Sequence, residues 1–218
     1  KDDLKGLPRL PFPHHAARLA QLREFSDVFG AYAQGRLSYV SLQGEPRKLD
    51  EDLAIYERPC LSHEVGICSS YLDLALEERY RALRIGPDLF AGAREQLRRA
   101  GLLASAPTYL RHSASWQHLI VKDTLETARL VPRLAGYDLL GANDAHWHRS
   151  GYDCGLLDEF DHLKPGRTAE GIRTYNGASV LLISDQRERN LIAGQPLTRR
   201  VSLSWFGEGR LQNASLRA

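Results

Sequence analysis

Two short apolar runs constrain this chain most. Residues 60–62 (CLS) and 135–144 (AGYDLLGAND) each read as a strand, and each leads straight into polar, chemistry-bearing residues. The sequence between them has helical periodicity. Strand, helical excursion, strand is the pattern of βα units and a parallel sheet, because parallel neighbours need a long crossover that is usually helical. Functional groups of such sheets gather where strands end, on the C-terminal face when the sheet closes into a (β/α)8 barrel. "RPCLSHEVG" puts His63 and Glu64 at the end of the first strand, and "NDAHWH" puts Asn143, Asp144, His146, Trp147 and His148 at the end of the second. These seven residues are the candidate site.

The rest of the chain fits around this unit. Residues 1–13 hold three prolines and a glycine and read as loop. Over residues 14–32 Ala17, Leu22, Phe25, Val28 and Phe29 recur at helical spacing, with Gly35 as the stop, and residues 36–42 alternate like an extended segment. Pro46 opens a helix carrying Leu49, Leu53 and Ile55 or Tyr56, and Pro59 closes it. Pro87 starts a helix with Leu89, Phe90, Ala93 and Leu97 on one face and Gly101 past its end. A longer helix over residues 107–131 is expected to turn Trp116, Leu119, Ile120, Ala128 and Val131 inward, with Pro132 as its limit. After Lys164-Pro165-Gly166 the texture changes. A short helix at 168–175 leads into "ASVLLIS", and residues 198–206 alternate Val201, Leu203 and Trp205 against polar residues, as a half-exposed antiparallel strand does. A β-sandwich module is therefore expected to begin near Asn190.

Length and charge exclude some functions. At 218 residues the chain holds one substantial core and the start of another. Its 29 basic and 27 acidic residues are interspersed, with no basic block to follow a phosphate backbone, so nucleic acid is not expected as a partner. No apolar run approaches the roughly 20 residues that span a bilayer, so neither is a membrane. Cys60, Cys68 and Cys154 form neither a CxxC pair nor an even set and read as buried thiols. The chain starts at Lys1 without a signal peptide and contains no methionine, and it is expected to be an excerpt of a longer protein.

Glu64 follows a strand rather than lying on a helix face, which sets aside a solvated helical charge. Two readings stay open: an internal hydrogen-bond or ion-pair partner, or a nucleophile, general base or metal ligand. His146 and His148 have an H-x-H spacing that reaches one metal ion from an extended segment, with Asp144 and His63 to complete the shell, although histidines in loops more often make hydrogen bonds. Trp147 offers a flat apolar face with an N–H at its edge, which suits a sugar ring and equally suits a plug at a barrel mouth. Asn213-Ala214-Ser215 fits the N-glycosylation pattern and carries no weight.

"RPCLSHEVG", "AGYDLLGANDAHWHRSGYDCGLLDEF" and "LKPGRTAEGIRTYNGASVLLISD", in that order, resemble the C-terminal part of the catalytic domain and the following segment of glycoside hydrolase family 2. The likeness is to its large, divergent bacterial β-galactosidase-like members and covers about residues 36–200. The resemblance implies the last strands and helices of a (β/α)8 TIM barrel over residues 1–185, followed by the start of an immunoglobulin-like β-sandwich over 186–218. It implies a retaining exo-β-glycosidase that uses no cofactor or metal, with Glu64 as nucleophile, Trp147 lining the sugar subsite, and His63, Asn143, Asp144, His146 and His148 as further substrate contacts. Its partners are then a β-linked glycoside and the remaining domains of the parent chain, and its compartment the periplasm or the exterior. The sequence departs from the family in one large respect: the Asn-Glu pair that carries the acid/base is absent. "SHEVG" also differs from the usual Thr-Glu-Tyr-Gly nucleophile strand. Two alternatives are a non-catalytic carbohydrate-binding relative and a metal-dependent hydrolase using His63, Glu64, Asp144, His146 and His148.

Overall fold

The computed structural model describes residues 46–54, 59–139, 141–146, 153–184 and 191–215. The helix expected at 14–32, the extended segment at 36–42, Ile55, Tyr56, Trp147, His148 and the side chains of His63 and Glu64 lie outside the described residues. What is described is a mixed α/β structure with two small sheets.

The expected βα unit is present. Strand β1 (Cys60–Val65) pairs in parallel with β2 (Leu134–Leu139). Between them run α2 (Glu77–Tyr80), α3 (Asp88–Arg99) and the long α4 (Ala106–Arg129), while α1 (Pro46–Leu53) precedes β1. One core joins α1, β1, α4, β2 and α5 (Ala169–Asn176) through Leu49, Leu53, Val65, Val121, Leu125, Leu134 and Tyr175, while α2 and α3 pack in two smaller clusters around Tyr80 and Phe90 and around Leu97. Gly66 ends β1 at φ +76°, and a Cβ there would stand 3.4 Å from Leu139 and 3.5 Å from Val121. The strand therefore terminates where α4 packs closely against it.

Helix ends follow the chemistry of their sequences. Past α3, Gly101 adopts φ +70°, its N–H reaches the Arg98 carbonyl at 3.1 Å and the Leu102 N–H reaches Leu97 at 2.9 Å. This pair of bonds, closed by a left-handed glycine, satisfies the last carbonyls of the helix. At the start of α5 the Thr168 hydroxyl accepts the Gly171 N–H at 3.0 Å, as an N-cap does.

Three expectations need correction. In α4 the buried stripe is Ala114, Gln117, Val121, Thr124, Leu125 and Ala128, whereas Trp116 and Leu119 are 53% and 54% exposed. The inward face is rotated from the most apolar one because Gln117 has partners inside and Thr124 returns its hydroxyl to the Ile120 carbonyl of its own turn, and hydropathy registers neither. In α3, Leu89 is exposed and only Phe90 and Leu97 are fully buried. The second strand stops at Leu139, and only Leu134 within it is buried, since among the described residues β2 pairs with β1 alone.

The second sheet is antiparallel, β3 (Ser179–Ile183) with β4 (Val201–Trp205), as the alternation of residues 198–206 predicts for β4. On β4 the apolar residues face outward, the reverse of what a half-exposed alternating strand suggests. Val180, Leu182 and Ser204 point inward, while Leu181, Ile183, Val201, Leu203 and Trp205 share the exposed face. Ser204 is buried because its hydroxyl takes an Arg129 N–H at 3.1 Å, and the same guanidinium reaches the Gly177 carbonyl at 2.7 Å. Neither sheet closes into a barrel among the described residues. Within the same residues, no helix is long and apolar enough to cross a membrane.

Candidate functional site

Parallel pairing gives β1 and β2 a common C-terminal end, so the backbone of His63 and Glu64 and residues 143–146 lie at one end of the sheet. The register slips there. Ser62 pairs with Tyr137 and Val65 with Leu139, which leaves one extra residue on β1 at His63-Glu64. Both Ser62 and Val65 are buried although strict alternation would separate them, as a bulge requires. Bulges are frequent next to active sites because they re-aim the strand locally.

Beyond β2 the chain enters a dense polar network. Asp144 and Lys164 form a salt bridge at 2.7 Å, with each side chain 4% exposed. The Lys164 ammonium also donates to the Ser70 hydroxyl at 2.8 Å and to the Asp153 carbonyl at 2.7 Å, so its three N–H groups all have acceptors. Asp144 Oδ1 further accepts the Gly155 N–H at 2.8 Å. Burial pushes both groups toward their neutral forms, Asp144 above the ordinary carboxylate value and Lys164 below the ordinary amine value. Breaking such a pair from one side costs about 3–5 kcal/mol, because the other charge stays buried.

Asn143 is held in the same way. Its amide donates to Asp161 Oδ1 at 2.5 Å and to the Asp158 carbonyl at 3.1 Å. Asp158 in turn organises its own turn by accepting the Phe160 and His162 N–H groups at 2.8 and 3.0 Å. Gly155 is required here for close approach: a Cβ would fall 2.4 Å from the backbone of Asn143 and Asp144.

His146 is buried between two carboxylates. Its Nδ1 lies 2.7 Å from Glu159 Oε2 and its Nε2 3.0 Å from Asp153 Oδ1, as ion pairs without the alignment of hydrogen bonds. Its backbone N–H reaches Glu159 Oε1 at 2.5 Å, and the Tyr80 hydroxyl donates to Glu159 Oε2. Burial alone pushes the imidazole toward neutrality, but Asp153 and Glu159 together outweigh it and hold the pKa above the ordinary histidine value. A cavity of about 250 Å³ borders this cluster, lined in part by Ser70, Tyr71, Asp144, His146, His162 and Lys164. That is below the roughly 300–1,000 Å³ typical of ligand sites.

Behind the cluster, Gln117 of α4 is fully buried and donates to the Asp153 carbonyl at 3.0 Å, while its own oxygen takes an Arg167 N–H at 2.7 Å. Arg167 also reaches the Gly155 carbonyl at 3.1 Å. Asp153 and Gly155 are thus fixed from both sides.

Of the candidate residues, Asn143, Asp144 and His146 are therefore brought together, and each has polar atoms engaged within the protein. Trp147, His148 and the side chains of His63 and Glu64 lie outside the described residues. Sequence reasoning missed Ser70, Gln117, Asp153, Glu159, Lys164 and Arg167. A signal was available in "DEFDHLKPGR", where a Lys and an Arg bracket Pro-Gly directly after an acidic run. Cys154 is buried, as expected, whereas Cys68 is only half-buried, and both are free thiols. Among the described residues no group of three or more His, Cys, Asp and Glu is arranged to hold a metal ion. No protein-family model matches the chain, and no curated protein matches it.

Proposed function

We propose that this chain is the C-terminal part of a retaining exo-β-glycosidase of the family 2 type, with Glu64 as its nucleophile. The observation that carries the reading is the parallel β1–β2 pair, which brings Glu64 and the Asn143–His146 segment to one sheet end, with a bulge at His63-Glu64. That is where a barrel enzyme holds its chemistry. In this reading the two strands are the last of a (β/α)8 barrel. The exposed apolar face of β3–β4 is the side that a second sheet of an immunoglobulin-like sandwich covers.

A retaining mechanism needs two carboxyl groups about 5–5.5 Å apart. Glu64 attacks the anomeric carbon of a β-linked glycoside as the leaving oxygen is protonated, and water then releases the sugar from the glycosyl-enzyme. The protonating group is assigned to a segment outside this sequence, since no Asn-Glu pair occurs within it. In this reading Trp147 supplies the apolar platform for the sugar ring, and His63 and His148 are hydroxyl contacts. Asn143, Asp144 and His146 serve the site chiefly by holding the strand end, because their bonds run inward. The missing acid/base in this sequence is also what a sugar-binding relative without activity would show, and the same experiment separates the two.

In the full-length protein Glu64→Gln is expected to abolish turnover of aryl β-glycosides while the melting temperature stays within a few degrees. A normal rate in the variant removes Glu64 from the nucleophile role. Wild-type protein that binds sugar without turnover supports the binding relative. Chelator leaves the wild-type rate unchanged in this reading; loss of rate supports the metal-dependent hydrolase.

A further inference from the structure

We infer that Lys164 is a positioning residue of the proposed glycosidase site, tying the segment that leaves β1 to the segment that leaves β2; this rests on the reading of Glu64 as nucleophile. The geometry is specific. Ser70 lies in the chain that follows Glu64 out of β1, and Asp144 and Asp153 lie in the chain that follows β2. The ammonium of Lys164 bonds all three, at 2.8 Å to the Ser70 hydroxyl, 2.7 Å to Asp144 and 2.7 Å to the Asp153 carbonyl. The Asp153 carbonyl also receives the Ser70 N–H at 2.9 Å and Gln117 at 3.0 Å. Beside the direct Ser70–Asp153 backbone bond, the buried ammonium therefore ties together two strand ends that the sheet itself stops pairing at Leu139.

The arrangement exceeds what stability asks of it. Replacing a buried ion pair by well-packed apolar groups is often neutral or stabilising, so a buried ammonium whose three acceptors converge from both strand ends points to a geometric role. A nucleophile must stand within a near-attack distance of the anomeric carbon, and a shift of about 1 Å costs about a hundredfold in rate. Lys164 touches no reacting atom in this scheme. It sets the separation of the strand ends between which the sugar lies.

The test uses the full-length protein with aryl β-glycosides. Ser70→Ala removes the acceptor on the β1 side and leaves the salt bridge intact. The double variant Lys164→Met/Asp144→Asn removes both charges together, so that neither is stranded. The expected result is a loss of kcat of about tenfold in Ser70→Ala and about a hundredfold in the double variant, with KM within about threefold of wild type. Lys164→Arg, which keeps the charge, is expected to recover part of the lost kcat. An unchanged kcat in the folded double variant overturns the inference while the glycosidase reading stands. Should the double variant fail to fold, Ser70→Ala decides, and an unchanged kcat there overturns it equally. Wild-type protein that turns over no glycoside overturns the glycosidase reading and this inference with it.

Discussion

His146 illustrates how a residue changes meaning once its neighbours are known. In the sequence it is half of an H-x-H pair; in the structure it is a buried imidazole between Asp153 and Glu159, whose carboxylates raise its pKa. The linkage has a definite sign. A histidine whose folded pKa is raised contributes stability that is complete below its unfolded value, about 6.5, and is lost as pH rises through the folded value. Lys164 acts in the opposite sense: its lowered pKa costs stability below the folded value, and the cost is relieved as pH rises. Comparing wild type with His146→Gln cancels the lysine contribution. The wild-type advantage in urea midpoint is expected to be greatest below pH ~6.5 and to shrink at higher pH. A difference that stays flat with pH would mean that the imidazole has the same pKa folded as unfolded, and one that grows as pH rises would mean that it is held neutral in the fold.

At the scale of elements, the sequence was most legible where local chemistry decides. Gly101 ends α3 and Thr168 caps α5 because a left-handed glycine and a side-chain acceptor act within one turn. The order of β1, helices and β2 followed from periodicity in the same way. The phase of α4 did not, because the residues that choose its inward face answer to partners far along the chain: Gln117 to Asp153 and Arg167. The faces of β4 were inverted for a similar reason, with Ser204 drawn inward by Arg129. The helix phase is directly testable. Gln117→Leu leaves a buried Arg167 N–H without its acceptor and removes one of the donors to the Asp153 carbonyl, and is expected to cost about 2–3 kcal/mol in denaturant unfolding. Trp116→Ala on the exposed face is expected to stay within about 0.5 kcal/mol. The reverse ranking would contradict the described orientation of α4.

For the whole molecule, Asn143, Asp144 and His146 were legible as a cluster at a strand end, but their roles were not. Their partners come from residues 153–164, and nothing local in "NDAHWH" announces that Lys164 or Glu159 will fold back on it. Lys164 then joins the two strand ends that the proposed chemistry needs side by side. The central claim is that Glu64, at the bulged end of β1, attacks an anomeric carbon. A panel of 2-fluoro-glycosides with activated leaving groups forms a stable glycosyl-enzyme on a retaining nucleophile, and peptide mass spectrometry of the inactivated full-length protein locates it. The account predicts one glycosyl adduct, on Glu64, with the reacting sugar naming the substrate class. An adduct on a different carboxylate, or inactivation by no sugar of the panel, would contradict it.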